Sequence, residues 1–502
     1  MRLHEILVLA LGCAVALHGA VRAQAPGSAA PDVQVQLGDL LYADGRFGDA
    51  ADAYRRAVHA PDPPTAVRAG AGVVLALLRR GDFQEAFTSA ADLRRAHPDS
   101  AAIAAAHGDA LWSYGLFEEA EAAYEAALKL DALQPRARHG RGRALAARNR
   151  LADALVDAQD ALRLDPREGE FHHTVGAIYE RLHRFDQAAA AYGNYVNLLP
   201  NRDKSEKAAW ARSVIRFLDS FKDSRPFDLG SAAPDRVWRV PVRIERDKVL
   251  VRGRVNGGSP EDFILDTGAE QTVISRDVAR KRGVVPITYI QSAGVGDVGM
   301  RGLQVGRIDS LEIADLKVRN VPCLIKNPPL SGLPGREPDS FSPIALGLSM
   351  RVDYARRELV MAKKLDAPAR YDVELPLRVH RLAMVRGTVN NHAATFIVDT
   401  GGEVISISTS TAGIIQPEPA FRRIPLKVYG TSGWDKDAFL MPNVDLEFSS
   451  IRFNRIPVVV LNLRAPSALL GFQLGGIVGH KFLSKYQVTI DLNRSVVGLD
   501  GP

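Results

Sequence analysis

The chain contains two short stretches of nearly identical sequence, Phe263-Ile264-Leu265-Asp266-Thr267-Gly268-Ala269 and Phe396-Ile397-Val398-Asp399-Thr400-Gly401-Gly402. Each is an apolar segment, typical of a buried strand, that ends in Asp-Thr-Gly. Because glycine allows a tight backbone turn, this arrangement presents one carboxylate at the end of a buried strand. The duplication predicts two such loops in a repeated β structure.

The two aspartates suggest acid–base chemistry. Two carboxylates that face each other can share a proton, because like charges a few ångströms apart cannot both ionise. One then acts as general base on a water molecule while the other acts as general acid. Asp266 and Asp399 are the predicted catalytic pair, and peptide-bond hydrolysis is the leading hypothesis.

Length and composition indicate an ordinary globular protein. The 502 residues predict two or three domains, with 46% apolar and 24% charged residues. The net charge of +6 is diffuse, and no basic block interleaved with aromatic residues predicts a nucleic-acid partner. Cys13 and Cys323 are the two cysteines. Loss of the N-terminus would leave one thiol, which excludes an intrachain disulfide framework.

The N-terminus, residues 1–23, resembles a cleaved export signal. Arg2 and His4 precede an apolar run from Ile6 to Leu17, and a small-residue site ends at Ala23. The run is too short for a stable membrane anchor, and no later segment is long and apolar enough to span a bilayer. A lipoprotein is disfavoured because Cys13 lies in the middle of the run. We expect a periplasmic or secreted protein.

Residues 33–222 are predicted to form a helical repeat array with a period of about 34 residues. Each unit predicts two amphipathic helices around a tight turn, with an alanine where the helices approach closely. The pattern resembles tetratricopeptide repeats. Lys204 to Lys222 is the predicted capping helix. The turn positions are Gly45, Gly81, Gly115, Asn149 and His183, and the alanines are Ala50, Ala86, Ala120, Ala154 and Ala188.

The sequence leaves two possible roles for the array. Stacked helix pairs form a concave groove that could hold a protein partner or a peptide, whereas a rigid spacer would have no ligand. We expect each repeat to contact only its neighbours, so that the array folds alone and the following half works without it. A linker, residues 223–235, separates the two halves.

The second half is predicted to form two β-rich lobes, residues 236–365 and 371–500. In each lobe, two alternating apolar runs lead through a turn to the Asp-Thr-Gly loop. A matching apolar-apolar-Gly element follows, predicted at Ala345-Leu346-Gly347 in the first lobe and at Ile477-Val478-Gly479 in the second. A closing strand then ends each lobe.

This order of elements resembles the retropepsin-like aspartic proteases, over roughly half of the chain. The resemblance implies an all-α tetratricopeptide solenoid followed by two all-β retropepsin-like lobes, with a peptide or protein as substrate. It implies that Thr267 and Thr400 hydrogen-bond across the interface to hold the loops together. Gly268 and Gly401 are suited to tight turns that donate an N–H near the carboxylate.

Some residues depart from the family pattern. Gly402 stands where Ala or Ser is more usual, which predicts a looser second loop, and the first apolar-apolar-Gly element lacks the Phe-Leu pair that follows the second. Two rival hypotheses therefore stay open. One is a non-catalytic peptide- or protein-binding scaffold with degenerate lobes, and the other is a homodimer in which each lobe pairs in trans.

Two hairpins are candidate flaps over the substrate. Gly294 and Gly296 lie in the first, and Tyr429, Gly430 and Trp434 lie in the second. The first also contains a G-x-G-x-x-G pattern, but no strand–helix–strand unit surrounds it, which argues against a dinucleotide site. No cofactor or metal is predicted, because the histidines are scattered, and Cys323 is predicted to be core.

Overall fold

The computed structural model describes residues 30–222, 224–230, 235–296, 299–326, 339–366, 368–415, 423–430 and 432–501. The predicted export signal and part of the predicted linker lie outside these residues. Within this described part of the chain, no helix is both long and apolar enough to span a bilayer.

The first half is a stack of antiparallel helix pairs followed by one further helix, which packs against the last pair. Side-chain caps start several helices; Asp62, for example, accepts a hydrogen bond from the amide of Thr65. The helices are α1 Pro31–Ala43, α2 Phe47–Arg55, α3 Pro63–Arg80, α4 Phe83–Ala96, α5 Ala101–Ser113, α6 Phe117–Leu130, α7 Pro135–Ala147, α8 Leu151–Leu164, α9 Gly169–Arg181, α10 Phe185–Leu198 and α11 Glu206–Asp219.

The repeat pattern is confirmed in the backbone and in the packing. All five predicted turn positions adopt the left-handed conformation, with φ from 57° at Asn149 to 88° at Gly115. Glycine and asparagine tolerate this conformation better than most residues. All five predicted alanines are fully buried. Small side chains at these points let the two helices of a pair approach closely.

The first lobe is a β structure with one short α-helix, α12 Arg276–Lys281, and a 3₁₀ turn, Ile344–Leu346. Its central feature is the parallel pairing of β4 with β9 and of β5 with β8. The strands are β1 Val237–Pro241, β2 Arg243–Glu245, β3 Lys248–Val255, β4 Glu261–Leu265, β5 Thr272–Ile274, β6 Pro286–Ala293, β7 Met300–Ile313, β8 Leu316–Ile325, β9 Asp339–Phe341, β10 Ser349–Asp353 and β11 Glu358–Ala362.

The second lobe repeats this topology, with β14 parallel to β21 and β15 parallel to β20. Its helices are α13 Thr409–Ile415, α14 Arg464–Leu470 and α15 His480–Leu483. Its strands are β12 Val373–His380, β13 Leu382–Val389, β14 His392–Val398, β15 Ser406–Ser408, β16 Ile424–Pro425, β17 Val428–Gly430, β18 Gly433–Asp435, β19 Phe439–Phe448, β20 Ile451–Leu461, β21 Gly476–Val478, β22 Gln487–Asp491 and β23 Val496–Asp500.

A shared sheet joins the two lobes. The part of this sheet at the lobe boundary has the strand order β1-β11-β10-β22-β23-β12, three strands from each lobe, and the sheet continues from β12 into the second lobe. The junction is the antiparallel pair β10–β22, in which Met350 lies opposite Ile490 and Val352 opposite Val488. One hydrophobic core runs through both lobes. In this structure the lobes therefore pair within one chain.

One predicted element of the first lobe is wrong. The partner of Ile477-Val478-Gly479 is not Ala345-Leu346-Gly347, because β4 pairs with β9 in the same parallel register in which β14 pairs with β21. The sequence at the matching position is Ser340-Phe341-Ser342. Gly347 instead ends the 3₁₀ turn, with φ of 70°. The first lobe thus has two serines where the second has an isoleucine and a glycine.

The array packs on the β half, so the expectation that each repeat contacts only its neighbours is wrong. Two of the repeat turns make hydrogen bonds to the second lobe. Thr395 Oγ1 donates to the carbonyl of Gly115 at 2.6 Å. The side-chain amide of Asn149 donates to the carbonyl of Leu492 at 3.2 Å. These turns therefore serve both the repeat itself and the attachment of the array to the lobe.

Two apolar contacts complete this interface. Phe117 packs edge-on against Phe472 of the second lobe, with ring centroids 5.1 Å apart, and Phe472 is fully buried. At the C-terminal end of the array, Phe217 and Phe221 belong to one cluster with Val305 of the first lobe. The array therefore contacts both lobes through buried side chains.

Candidate active site

The two Asp-Thr-Gly loops occupy equivalent places in the two lobes. The amide of Asp266 donates to the carbonyl of Phe341 at 2.9 Å, and the amide of Asp399 donates to the carbonyl of Val478 at 3.0 Å. Each hydrogen bond continues the parallel pairing by one residue past the end of the strand. Both carboxyls are therefore carried by buried sheet and are fixed at their backbones.

The two threonines hold the loops together through a symmetric set of hydrogen bonds between the lobes. Thr267 Oγ1 donates to the carbonyl of Val398 at 2.6 Å, and Thr400 Oγ1 donates to the carbonyl of Leu265 at 2.7 Å. Each hydroxyl also accepts the amide of the opposite threonine, at 3.1 Å in both directions. Both side chains are almost completely buried. All of these hydrogen bonds cross the lobe boundary, so they hold the two loops in register.

Close approach of the backbone brings the two carboxyls together. A Cβ atom added at Gly268 would lie 2.6 Å from an oxygen of the Asp399 carboxyl, and one added at Gly401 would lie 2.7 Å from Asp266 Oδ1. These are distances that side chains do not tolerate, so only glycine fits either position. The two carboxyls are close enough that the charge of Asp399 raises the pKa of Asp266.

The hydrogen bonds to the two carboxyls differ. Asp266 Oδ1 accepts the amide of Gly268 at 3.0 Å. Asp399 Oδ1 accepts two amides, from Gly401 at 2.8 Å and from Gly402 at 2.9 Å. The carbonyl of Gly402 also accepts the amide of His480 at 2.8 Å. The loop at Gly402 is thus held at both its N–H and its carbonyl, contrary to the looser loop expected from the sequence.

The surroundings raise the pKa of both carboxyls. Burial, followed by the charge of Asp399, raises the pKa of Asp266 to about 7. Burial also raises the pKa of Asp399, while the amides of Gly402 and Gly401 counteract this effect. Hydrogen bonds from amides favour the charged form of a carboxyl. The pair therefore favours a proton on Asp266 and a negative charge on Asp399.

The tips of the two candidate flaps meet. The amide of Gly294 donates to Ser432 Oγ at 3.0 Å, and the amide of Ser432 donates to the carbonyl of Val295 at 2.9 Å. Gly296 has φ of 133°, and a Cβ atom there would lie 2.4 Å from the carbonyl carbon of Ser432. A Cβ atom at Gly430 would lie 2.3 Å from the carbonyl oxygen of Val295. The structure brings the flap glycines together across the two lobes.

The two flap aromatics pack on each other. The rings of Tyr429 and Trp434 lie 5.5 Å apart in an edge-on arrangement, and Trp434 is 41% exposed. They face each other across the β17–β18 hairpin, whose register pairs these two residues directly. Their predicted contact with substrate stays a prediction.

An ion network links several helices of the array. Arg79 pairs with Glu168 at 3.0 Å, and Arg136 bridges Glu168 at 2.8 Å and Asp109 at 3.1 Å. The network therefore connects α3, α5 and α7 to the start of α9. Nearer the N-terminal end, a cavity of about 530 Å³ stays open. Its lining includes Tyr42, Tyr54, Val67, Ala71 and Leu75.

Two polar residues beside the aspartic pair were not predicted from the sequence. Lys248 donates a hydrogen bond to the carbonyl of Gly401 in the other lobe. Ser340 lies beside Asp266 and lowers the pKa of its carboxyl. A residue-by-residue comparison of the two lobes would have indicated Lys248, because the same strand position in the second lobe is an apolar residue, Leu382. Ser340 could be found only after the register of β9 was known.

Two expectations concern Cys323 and possible metal ligands outside the aspartic pair. Cys323 is fully buried, and burial raises its pKa to about 12, in line with a core role. Among the residues that the structure describes, no group of three or more His, Cys, Asp or Glu side chains could hold a metal ion.

Comparison with known families identifies both halves. The aspartyl protease family model matches twice, at residues 251–349 and 385–479, and the tetratricopeptide repeat model matches residues 16–66, 35–101 and 105–170. The chain carries two aspartyl-protease-like lobes behind a tetratricopeptide repeat array. The two protease matches span the Asp266 and Asp399 loops, which lie at equivalent positions in them.

Three similar proteins each cover only a part of this chain. A curated protein, the TPR repeat-containing thioredoxin TTL4 of Arabidopsis thaliana, is 33% identical over 81 residues, which is 16% of this chain and 12% of that protein. The chain thus spans about an eighth of the length of this relative. The solved TPR protein TTC0263 of Thermus thermophilus is 20% identical, with a TM-score of 0.31, over 37% of this chain and 99% of that one. PilF of Pseudomonas aeruginosa is 17% identical, with a TM-score of 0.28, over 39% and 86%.

Proposed function

We propose that this protein is an exported aspartic endopeptidase that hydrolyses peptide bonds with water activated by Asp266 and Asp399. The observation that carries the proposal is the crossed set of threonine hydrogen bonds, which holds the two loops so that their carboxyls meet. A binding scaffold would have no need for two matched carboxyls in contact at the junction of two lobes, since their burial is costly.

The proposed reaction follows from the different hydrogen bonds to the two carboxyls. Asp399, which accepts two amides, is the charged base and removes a proton from the water as its oxygen attacks the scissile carbonyl carbon. Asp266 carries the shared proton and donates to the carbonyl oxygen as the tetrahedral intermediate forms. The proton gained by Asp399 then passes to the leaving amine while the C–N bond breaks, and the shared proton returns to the pair.

Inhibitor classes test this chemistry. Cleavage of a mixed peptide library is expected to be blocked by statine peptides, whose hydroxyl-bearing centre mimics the tetrahedral intermediate. It is expected to survive chelators and serine- or thiol-directed reagents, because the proposed steps use two carboxyls and water. Product formation is measured by mass spectrometry. Loss of cleavage with a chelator, or indifference to statine peptides, would remove the aspartic assignment.

The pH profile is a second expected result. Activity requires one proton on the pair, and the pKa of Asp266 is raised to about 7. Activity is therefore expected to fall as pH rises through about 7. On the acid side of the profile, activity is expected to fall at a higher pH than an ordinary aspartate would give, because the pKa of Asp399 is also raised. The measurement is kcat/KM against pH with a short peptide. An activity that still increases above about pH 8 would contradict a protonated Asp266.

Location and docking complete the proposal. The export signal at residues 1–23 supports a periplasmic or secreted protein, and the N-terminal sequence of the mature protein is the direct check. We propose that the tetratricopeptide array binds a protein partner or substrate. The open cavity near Tyr42 and Leu75 supports this role.

A further inference from the structure

Lys248 reaches the second active-site loop from the first lobe. It is the first residue of β3, directly after a tight turn in which Arg246 and Asp247 have φ of 49° and 58°. Its half-buried ammonium group donates a hydrogen bond to the carbonyl of Gly401. Gly401 is also the residue whose amide binds the Asp399 carboxylate. One side chain therefore links the first lobe to the loop that stabilises Asp399.

The second lobe has no equivalent cation at the matching strand position. Leu250 lies opposite Ile264, and Met384 lies opposite Ile397, so the two strands align with Leu382 at the place of Lys248. Leu382 is buried in the apolar cluster that contains Trp112 and Phe472. A positive charge at this strand position thus approaches the pair from one side only.

Two further differences separate the surroundings of the two carboxyls. Asp399 accepts a second amide, from Gly402, which Asp266 lacks among the hydrogen bonds to the loops. At the position where the second lobe has Ile477, the first lobe has Ser340, which lies beside Asp266 and lowers the pKa of its carboxyl. A hydroxyl can donate or accept, so it suits either state of Asp266, whereas amides and an ammonium group suit only a carboxylate.

We propose that Lys248 is a positioning residue of the aspartic pair, which holds the Asp399 loop from the opposite lobe and keeps the negative charge on Asp399. This inference rests on the proposed hydrolytic function. It assigns different roles to two aspartates whose loops are nearly identical in sequence.

The neighbouring charges do not replace Lys248. Asp247 of the same turn pairs with Lys481 of the second lobe at 3.9 Å, so these two largely offset each other. His480 packs against the ring of Tyr354, and burial lowers its pKa, which keeps it neutral at physiological pH. Near the first loop, Arg381 pairs with Glu270 at 2.6 Å. Among these neighbours, Lys248 is the cation that lowers the pKa of both carboxyls, and its hydrogen bond to the carbonyl of Gly401 places its charge on the loop that carries Asp399.

The test compares three variants in the full-length chain. Lys248→Leu installs the residue of the second lobe, Lys248→Arg keeps the charge, and Arg252→Leu removes an exposed cation further along the same strand. Two readouts are collected against pH: kcat/KM for a short peptide, and the carboxyl ¹³C chemical shifts of labelled aspartates, assigned with Asp266→Asn and Asp399→Asn. Thermal unfolding at neutral pH verifies that each variant is folded.

In Lys248→Leu, both readouts are expected to shift the more acidic transition of the pair upward by roughly one pH unit, because a nearby positive charge is lost. Lys248→Arg and Arg252→Leu are expected to retain the wild-type transition. An unmoved transition in folded Lys248→Leu would overturn the inference, even if activity fell equally at every pH. If the wild type cleaves no peptide, the hydrolytic proposal fails, but the carboxyl shifts still decide whether Lys248 controls the pair.

Discussion

Asp266→Asn and Asp399→Asn are each expected to lower kcat/KM for peptide cleavage by at least about 10³-fold, close to complete loss of activity. Asparagine keeps the shape of the side chain, but it can neither remove a proton from water nor carry the proton that the pair shares. Because the two residues act as one unit, the double variant should lose little more than either single variant. The measurement is steady-state cleavage of one short peptide.

Unfolding is not expected to cause this loss. The pKa of Asp266 is raised above its unfolded value of 3.8, so its contribution to stability is fully present below pH 3.8 and is lost as pH rises through about 7. Asp266→Asn removes this buried charge. At about pH 8 the variant is expected to be more stable than the wild type, by on the order of 1–2 kcal/mol, in urea unfolding. Lower stability under these conditions would contradict a buried, coupled pair.

A control variant on β4 and one possible contrary result make the test of the aspartic pair more specific. Asp262 lies on β4, the strand that leads into Asp266, but its side chain is 41% exposed and pairs with Arg243 at the surface. Asp262→Asn should keep nearly full activity, because exposed ion pairs contribute little. Full activity in Asp399→Asn would mean that first lobes of two chains pair in trans. The shared sheet through Met350 and Ile490 argues for pairing within one chain.

The centre of the site was predictable because its chemistry is local. Asp-Thr-Gly fixes a carboxyl, a hydroxyl and a permissive backbone within one short motif, so two copies predict the meeting of Asp266 and Asp399. The helical array was predictable for a similar reason. Its turns at Gly115 and Asn149 require a left-handed backbone, and such positions recur at a fixed spacing.

The register of distant strands was not predictable from the sequence. Ala345-Leu346-Gly347 matches an apolar-apolar-Gly pattern, but so short a pattern also fits a 3₁₀ turn that ends in glycine. The strand that pairs with β4 instead contains Ser340, a polar residue in a buried position. Its place depends on a parallel pairing between segments far apart in the chain, and local propensity does not encode that pairing.

The contact between the array and the β half was also not predictable from the sequence. Phe117 and Trp112 fit the apolar face of a repeat helix, and Phe472 fits the core of a lobe, so none of them signals an interface in the sequence. In the structure they belong to one cluster, in which Phe117 and Phe472 touch and Trp112 packs against His380, which lies at the end of β12. Such a contact is a property of two surfaces brought together by folding.

Phe472→Ala is therefore expected to destabilise the whole chain, by about 3–5 kcal/mol of unfolding free energy, because it leaves a cavity between two fully packed bodies. Phe472 is fully buried between the ring of Phe117 on the array and His380 of the second lobe. The wild type should lose helical and near-UV circular dichroism in one transition, since the array and the lobes share buried surface. In the variant, the two signals should separate as their coupling weakens.

The control for this experiment is Tyr289→Ala, which truncates an aromatic side chain that is 57% exposed on the first flap hairpin. It should change the unfolding free energy by less than about 1 kcal/mol. If residues 235–501 alone melted at the temperature of the full chain, the array would be an independent module and the interface would contribute no stability. A lower melting temperature or aggregation of that fragment would show that the tetratricopeptide array is part of the fold that holds the two lobes in place.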